Sequence, residues 1–239
     1  MAFDFRFLSA GESAVVVEFG NIIDENINAR VHLLASHCKS DNAPCGIVEM
    51  TPTYRSLLIT FDSLITTKKT IIGCIEKYIA ENSYDFENAV LPETAKTIEL
   101  PVLYGGEYGP DIETVAKHND ISVDEVIKLH AAATYKVYML GFLPGFPYLG
   151  GMNEKIACPR LETPRTVVPE GSVGIAGGQT GVYPVDSPGG WQLIGKTPLA
   201  IFDSGSTQPF LFKPGDSIVF KPIDKKTFDA FSGGEAVKA

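Results

Sequence analysis

Cysteine is scarce in this 239-residue chain, and Cys38, Cys45, Cys74 and Cys158 lie far apart without any C-x-x-C pair. That spacing argues against a structural zinc cluster and fits reduced thiols in a cytoplasmic protein. Positive charge is also short. Twenty Lys and Arg face 29 Asp and Glu, a formal charge of −9, with no local run of basic residues. Such a surface repels phosphate backbones, so nucleic acid is not an expected partner. Long apolar runs are missing as well: no stretch approaches the roughly 20 residues that a membrane-spanning helix needs. The opening MAFDFRFLSAGE interrupts its apolar residues with Asp4 and Arg6 and does not read as a signal peptide. Finally, no H-E-x-x-H, Ser-His-Asp order or carboxylate cluster marks an independent hydrolase or a metal centre.

What is present is globular: 44% hydrophobic and 21% charged residues, a composition that supports a packed core rather than disorder. Over the first eighty-odd residues strand and helix patterns alternate. FRFLS and AVVVEF read as strands around an Ala-Gly-Glu turn, and IVEMT and SLLITF as a strand pair. Asp24 is placed to cap a helix carrying Ile27, Val31 and Leu34 on one face, and Ile71, Ile75 and Ile79 form the stripe of a helix over about 67–80. This order predicts an α+β sandwich of ferredoxin-like type over residues 1–88. The polar, aperiodic stretch 81–96 reads as the link to a second domain, residues 89–239.

The second half opens on the strand IELPVLYGG. Two short helices follow, the first from about Asp111 with Ile112 and Val115 inward, the second from the capping box Ser122-Val-Asp-Glu125 to near His130. Beyond Lys136, the segments KVYML, RTVV, SVGIAG, GVYPV, WQLIG, LAIF and SIVFKP read as short strands between Gly and Pro turns, which predicts a closed or nearly closed β-barrel. Residues 141–195 hold twelve of the 23 glycines and seven of the 16 prolines. Many tight turns account for part of this density. The rest implies backbone that approaches something closely, or adopts positive φ, along one rim.

Gly190 to Thr197 spells G-x-x-x-x-G-K-T, the phosphate-cradling P-loop pattern. The chemistry of that loop needs a buried strand before it and a helix after it, whose N-terminus faces the phosphates. Here SPGG precedes it and Pro198-Leu-Ala-Ile-Phe follows, too short a run for the helix, while Trp-Gln-Leu-Ile suits a strand. The spelling is read as accidental, with no P-loop.

The motifs Gly141-Phe-Leu-Pro-Gly-Phe-Pro-Tyr-Leu149, Thr163-Pro-Arg165, Ala176-Gly-Gly-Gln-Thr-Gly181 and Tyr183-Pro-Val-Asp-Ser-Pro-Gly-Gly-Trp191 closely resemble the KipI/allophanate hydrolase subunit 1 family, which includes a component of bacterial 5-oxoprolinase, PxpB. Pro52-Thr-Tyr-Arg-Ser-Leu57 and Tyr104-Gly-Gly-Glu-Tyr-Gly109 extend the likeness over nearly the whole chain. The resemblance implies a small α+β domain followed by a cyclophilin-like β-barrel. It implies partners of the KipA/PxpC and LamB/YcsF/PxpA types, with ATP and 5-oxoproline as substrates of the assembled enzyme. Prolyl isomerase activity does not follow, because a fold does not carry function. Other family members imply two alternatives: inhibition of sensor-kinase autophosphorylation, and a urea carboxylase-type component.

Within those motifs the residues suggest roles. Arg165 is suited to clamp a carboxylate or phosphate, and Arg160 is a second cation; a surface salt bridge is the alternative for both. Gly177 and Gly178 beside Gln179 suggest converging N–H groups in an anion nest. Asp186 reads as a general base or a turn residue, and His130 as a proton-transfer group or a cation at a helix end. Phe142, Phe146, Tyr148 and Trp191 read as either barrel core or an exposed ledge for a partner subunit.

Overall fold

A computed structural model describes residues 3–90 and 96–232, and the chain divides into two compact units, Met1–Glu93 and Thr94–Ala239. In the first, strands β1 (Arg6–Ser9), β2 (Ala14–Glu18), β3 (Ile47–Pro52) and β4 (Ser56–Phe61) form an antiparallel sheet in the order β1-β2-β4-β3. Helix α1 (Glu25–His37) begins where Asp24 accepts from the N–H groups of Asn26 and Ile27, and it buries Ile27, Val31 and Leu34. Helix α2 (Lys68–Glu81), capped by Thr67, buries Ile71, Ile75 and Ile79 with no exposed surface. Each such side chain contributes about 1.5–3 kcal/mol of hydrophobic stabilisation.

The elements run strand-strand-helix-strand-strand-helix, whereas a ferredoxin-like sandwich runs β-α-β-β-α-β. The β2-α1-β3 portion, with β4 paired between its two strands, is the shared piece; an extra strand precedes it. The polar stretch after α2 is also less empty than expected. It holds α3 (Ser83–Glu87), whose Phe86 is fully buried and stacks on Phe3 and Phe19. Five residues are too few to show a helical period, so the sequence hid it. Residues 91–95 of that stretch lie outside the described residues.

The second unit contains β5 (Thr97–Tyr104), α4 (Ile112–His118), α5 (Val123–Ala132), β6 (Tyr135–Leu140), β7 (Pro147–Gly150), β8 (Arg165–Val168), β9 (Ser172–Ala176), β10 (Gln179–Val182), β11 (Ser187–Gly189), β12 (Gln192–Lys196), β13 (Ser217–Pro222) and α6 (Lys225–Ser232). Seven strands make one mixed sheet in the order β10-β9-β12-β5-β13-β6-β7, with β5 and β13 parallel. Its end strands β10 and β7 lie against each other, so the sheet is nearly closed. Strands β8 and β11 pair separately. Leu100, Val102, Val137, Val173, Ile175 and Phe220 fill the interior.

Three sequence expectations change here. LAIF is no strand and makes only a single bridge between Phe202 and Phe210. PYLG, absent from the strands named from the sequence, is β7. The capping box is half made: Ser122 Oγ accepts from Glu125 N–H, but the Glu125 carboxylate turns to Lys128 at 3.2 Å instead of reaching back. Among the described residues no helix is long and apolar enough to cross a membrane.

The glycine density has a mainly internal cause. A Cβ on Gly181 would sit 3.0 Å from the Phe146 ring and 3.1 Å from the Trp191 ring. What the backbone approaches closely is its own aromatic core.

Candidate functional site

Two sequence motifs meet on one face of the second unit. An open depression of ≈ 340 Å³ is lined by Glu107, Tyr108 and Pro110 from the loop after β5, by Arg165, Val167 and Pro169 on and after β8, and by Ser172, Leu193 and Lys196 of β9 and β12. A larger depression, ≈ 590 Å³ around His37, Cys45, Cys74 and Tyr78, belongs to the first unit and contains none of the motif residues. Volume alone would favour it. The convergence of separate motifs and unlike charges favours the smaller one.

Arg165 is held by a residue the sequence reading did not single out for chemistry. One of its terminal nitrogens bridges both carboxylate oxygens of Asp111, at 2.6 and 2.8 Å, and the other donates to the Trp191 carbonyl at 3.2 Å. Asp111 also accepts from the buried Leu193 N–H at 2.6 Å, and its own N–H donates to the Leu193 carbonyl. Although it precedes α4, its side chain makes no capping bond. It spends its carboxylate joining α4, β8 and β12. This is a part-buried ion pair rather than the surface salt bridge weighed for Arg165.

The remaining candidates are distributed differently from expectation. Arg160 is exposed, and with Arg165 it acts on the Tyr183 phenol, partly offsetting the burial that raises the pKa of that group. Gln179 is half-buried at the start of β10. Gly177 and Gly178 form the two-residue turn between β9 and β10. The Gly177 N–H donates to the Cys158 carbonyl at 2.7 Å, and its carbonyl accepts in return. That N–H is committed to the chain itself, which corrects its place in an anion nest.

Asp186 accepts from the Glu170 N–H at 2.7 Å, tying the turn before β11 to the turn after β8. That bond reaches 16 residues back along the chain, so it is a tie between two turns and not the local Asx turn expected of Asp186.

His130 needs the largest correction. It has no exposed surface, and both ring nitrogens are engaged. Thr180 Oγ1 donates its only hydrogen to the Gly174 carbonyl, so it accepts from His130 Nε2–H at 2.9 Å. Nδ1 therefore accepts from the Tyr104 hydroxyl at 2.7 Å. Burial lowers the histidine pKa to about 3, so the ring is neutral at physiological pH. It is neither a cation at a helix end nor a proton donor open to solvent.

The aromatic group also divides. Phe146 and Trp191 are buried in a core cluster with Tyr183, and Tyr148 is half-buried against it. Packing between the end strands, rather than docking, claims Phe146 and Trp191. Phe142 alone is 66% exposed. Its φ of +63° and the 2.7 Å bond from Leu143 N–H to the Gly141 carbonyl make it the centre of a γ-turn. That conformation is strained for a bulky residue and persists only where the surroundings enforce it.

Lys196, like Asp111, was not foreseen as a site residue. Its only signal in the sequence was the Gly-Lys-Thr of the false P-loop. The strand β12 runs through that pattern and ends on Lys196, with Thr197 and Pro198 after it and no helix.

The sequence matches the carboxyltransferase domain, subdomain C and D, over residues 5–212. It is 43% identical to the B-type 5-oxoprolinase subunit of Bacillus subtilis, over 97% of this chain and 98% of that protein. The chain belongs to the B-type 5-oxoprolinase subunit family. The corresponding protein of Escherichia coli O157:H7 is 41% identical over 89% of this chain and 93% of its own length. A conserved uncharacterized protein of Pyrococcus horikoshii is 48% identical, with a TM-score of 0.55, covering 93% of this chain and all of that one. The urea amidolyase of Kluyveromyces lactis, 25% identical with a TM-score of 0.75, aligns with 95% of this chain over only 15% of its own length. The fold is thus carboxyltransferase-like, and the family's module also occurs inside a much larger enzyme.

Proposed function

We propose that this chain is a non-autonomous subunit of an ATP-dependent 5-oxoprolinase that opens 5-oxo-L-proline to L-glutamate. The observation that carries this reading is the 43% identity to a 5-oxoprolinase subunit over almost the full length of both proteins. Membership of a subunit family implies other subunits, and partners of the KipA/PxpC and LamB/YcsF/PxpA types complete the enzyme. An unstrained lactam is a poor electrophile, so its opening requires activation, by phosphorylation of the amide oxygen from ATP, and then delivery of water. The local chemistry of this chain fits a binding role in that sequence. His130 is sealed in the core and Asp186 is tied to a backbone N–H. The polar groups offered at the surface are those of the depression around Arg165, with Arg160 and Gln179 as further binding candidates. The cyclophilin-like description of the barrel belongs to the same reading, as does a cytoplasmic location.

The test is glutamate release from 5-oxoproline and ATP by the three reconstituted subunits. Turnover is expected only with this chain present; undiminished turnover when it is omitted refutes the proposal. Phe142, projected on a strained turn, is the expected anchor for a partner subunit. Phe142→Ala should weaken assembly about 10- to 100-fold, the range of an aromatic hot spot, without lowering the melting temperature. Analytical ultracentrifugation of the mixed subunits reads this directly, and unchanged assembly removes Phe142 from the interface.

A further inference from the structure

The depression beside Arg165 has a second cation to which no role has been given. We propose that it is a subsite for a small monocarboxylate, with Lys196 as the main charge contact. The choice of 5-oxoproline as the ligand rests on the oxoprolinase reading; the existence of the subsite does not.

Lys196 is half-buried at the end of β12. Its stem crosses Gly171, where an added Cβ would lie 3.4 Å from Lys196 Cε and 2.5 Å from the Thr197 carbonyl oxygen. Gly171 also has φ +79°, so the trough that guides the lysine is closed to larger residues on two counts. Among the described residues no carboxylate lies within ion-pairing distance of Nζ, in a chain where acids outnumber bases 29 to 20. An ammonium on a half-buried stem and without a counter-ion gains from an anion bound beside it.

The surroundings select the kind of anion. Arg165 lines the same depression with its plane fixed by Asp111 and Trp191, and Asp111 offsets its charge. Tyr108 accepts from Lys225 Nζ at 2.6 Å, which leaves the phenol hydrogen to donate, while Lys225 is itself paired with Asp229. Ser172 adds a hydroxyl. Lys196 is therefore the cation of this depression without a paired carboxylate, although Glu107 also lines it. A monoanion matches the one cation that no carboxylate pairs, whereas a phosphate dianion would set a second negative charge beside Glu107. Val167, Pro169, Pro110 and Leu193 offer apolar wall for ring methylenes.

Binding of 5-oxo-L-proline to the full chain is measured by calorimetry or NMR titration, beside 2-pyrrolidone, which has the ring without the carboxylate, and inorganic phosphate. Lys196→Met is expected to weaken 5-oxo-L-proline binding at least about tenfold, and Lys196→Arg to stay within about threefold of the native chain. The carboxylate-free lactam should bind at least about tenfold more weakly. Thermal melts must show both variants folded. Equal affinity in Lys196→Met, equal affinity for 2-pyrrolidone, tighter binding of phosphate, or no saturable binding of 5-oxo-L-proline at millimolar concentration overturns the subsite. Lys196-dependent binding without glutamate release from the reconstituted enzyme would leave the subsite standing and remove the oxoprolinase reading. Full turnover with an unchanged KM in Lys196→Met would do the opposite.

Discussion

Asp111→Ala is expected to lower the melting temperature by about 10 °C. The carboxylate takes a guanidinium nitrogen on both oxygens and a buried backbone N–H on one. Removing it strands Arg165 at 27% side-chain exposure and leaves the Leu193 N–H without its acceptor. Breaking a part-buried pair in this way costs about 3–5 kcal/mol, and 1 kcal/mol moves the midpoint of a chain this size by about 2–4 °C. Arg165→Ala should add little on top of Asp111→Ala, because both remove the same pair. The non-additivity in a double-mutant cycle, about 0.5–3 kcal/mol for contacting residues, measures the coupling. A single mutant melting within about 2 °C of the native chain, on the same conversion, would show that Asp111 does not join the three elements.

The second large effect is a pH dependence that originates at His130. Its pKa is lowered to about 3 in the folded chain by burial, against an ordinary value of 6.5. Below pH 6.5 the unfolded chain takes up a proton that the folded chain refuses, so the unfolded state binds more protons and stability rises with pH. Acidification from 6.5 toward 3 therefore removes stability, at up to about 1.4 kcal/mol per pH unit from this one residue. Carboxylates titrate in part of the same range, so the comparison needs a variant without the imidazole. His130→Gln keeps a donor and an acceptor. It should be less stable at pH 7 by about 2–3 kcal/mol, from lost packing and imperfect hydrogen bonds to Tyr104 and Thr180. The gap should then shrink as the pH falls to about 4.5, inside the window set by the two pKa values. Urea unfolding at several pH values across that window tests this; a gap that stays constant rules out His130 as the buried titrating group.

Much of the first unit was legible before any coordinates. Asp24 caps the helix that its position suggests, and the isoleucines at 71, 75 and 79 all point into the core. These are local signals: a cap bonds within three residues of itself, and a stripe repeats every turn. Helix α3 escaped because its one buried side chain, Phe86, cannot define a period. In the second unit the strands SVGIA, WQLIG and SIVFKP were readable in place. Strand β7 was missed, since its Pro147 and terminal Gly150 are turn residues by propensity, yet pairing with β6 overrides that. Propensity is a weak guide where a neighbouring strand supplies the hydrogen bonds.

The candidate site was less legible than the fold. Arg165 was identifiable as a cation in a specific motif, but its partner Asp111 lies 54 residues away and looked like a helix start. His130 looked titratable because it ends a helical pattern; nothing near it in sequence announces Tyr104, 26 residues before, or Thr180, 50 after. The rejection of a P-loop worked because it depended on local context, the missing helix after Thr197.

The order of residues along the chain settled most of the helices and strands, the acidic surface, and the motifs of the family, since these are written within a few residues of themselves. Only the folded barrel decided that His130 is silenced, that Phe146 and Trp191 are core while Phe142 is not, and that Lys196 and Arg165 share one depression. Burial, charge pairing and desolvation depend on which distant segments meet, and that meeting is a property of the sheet and not of any one stretch of sequence.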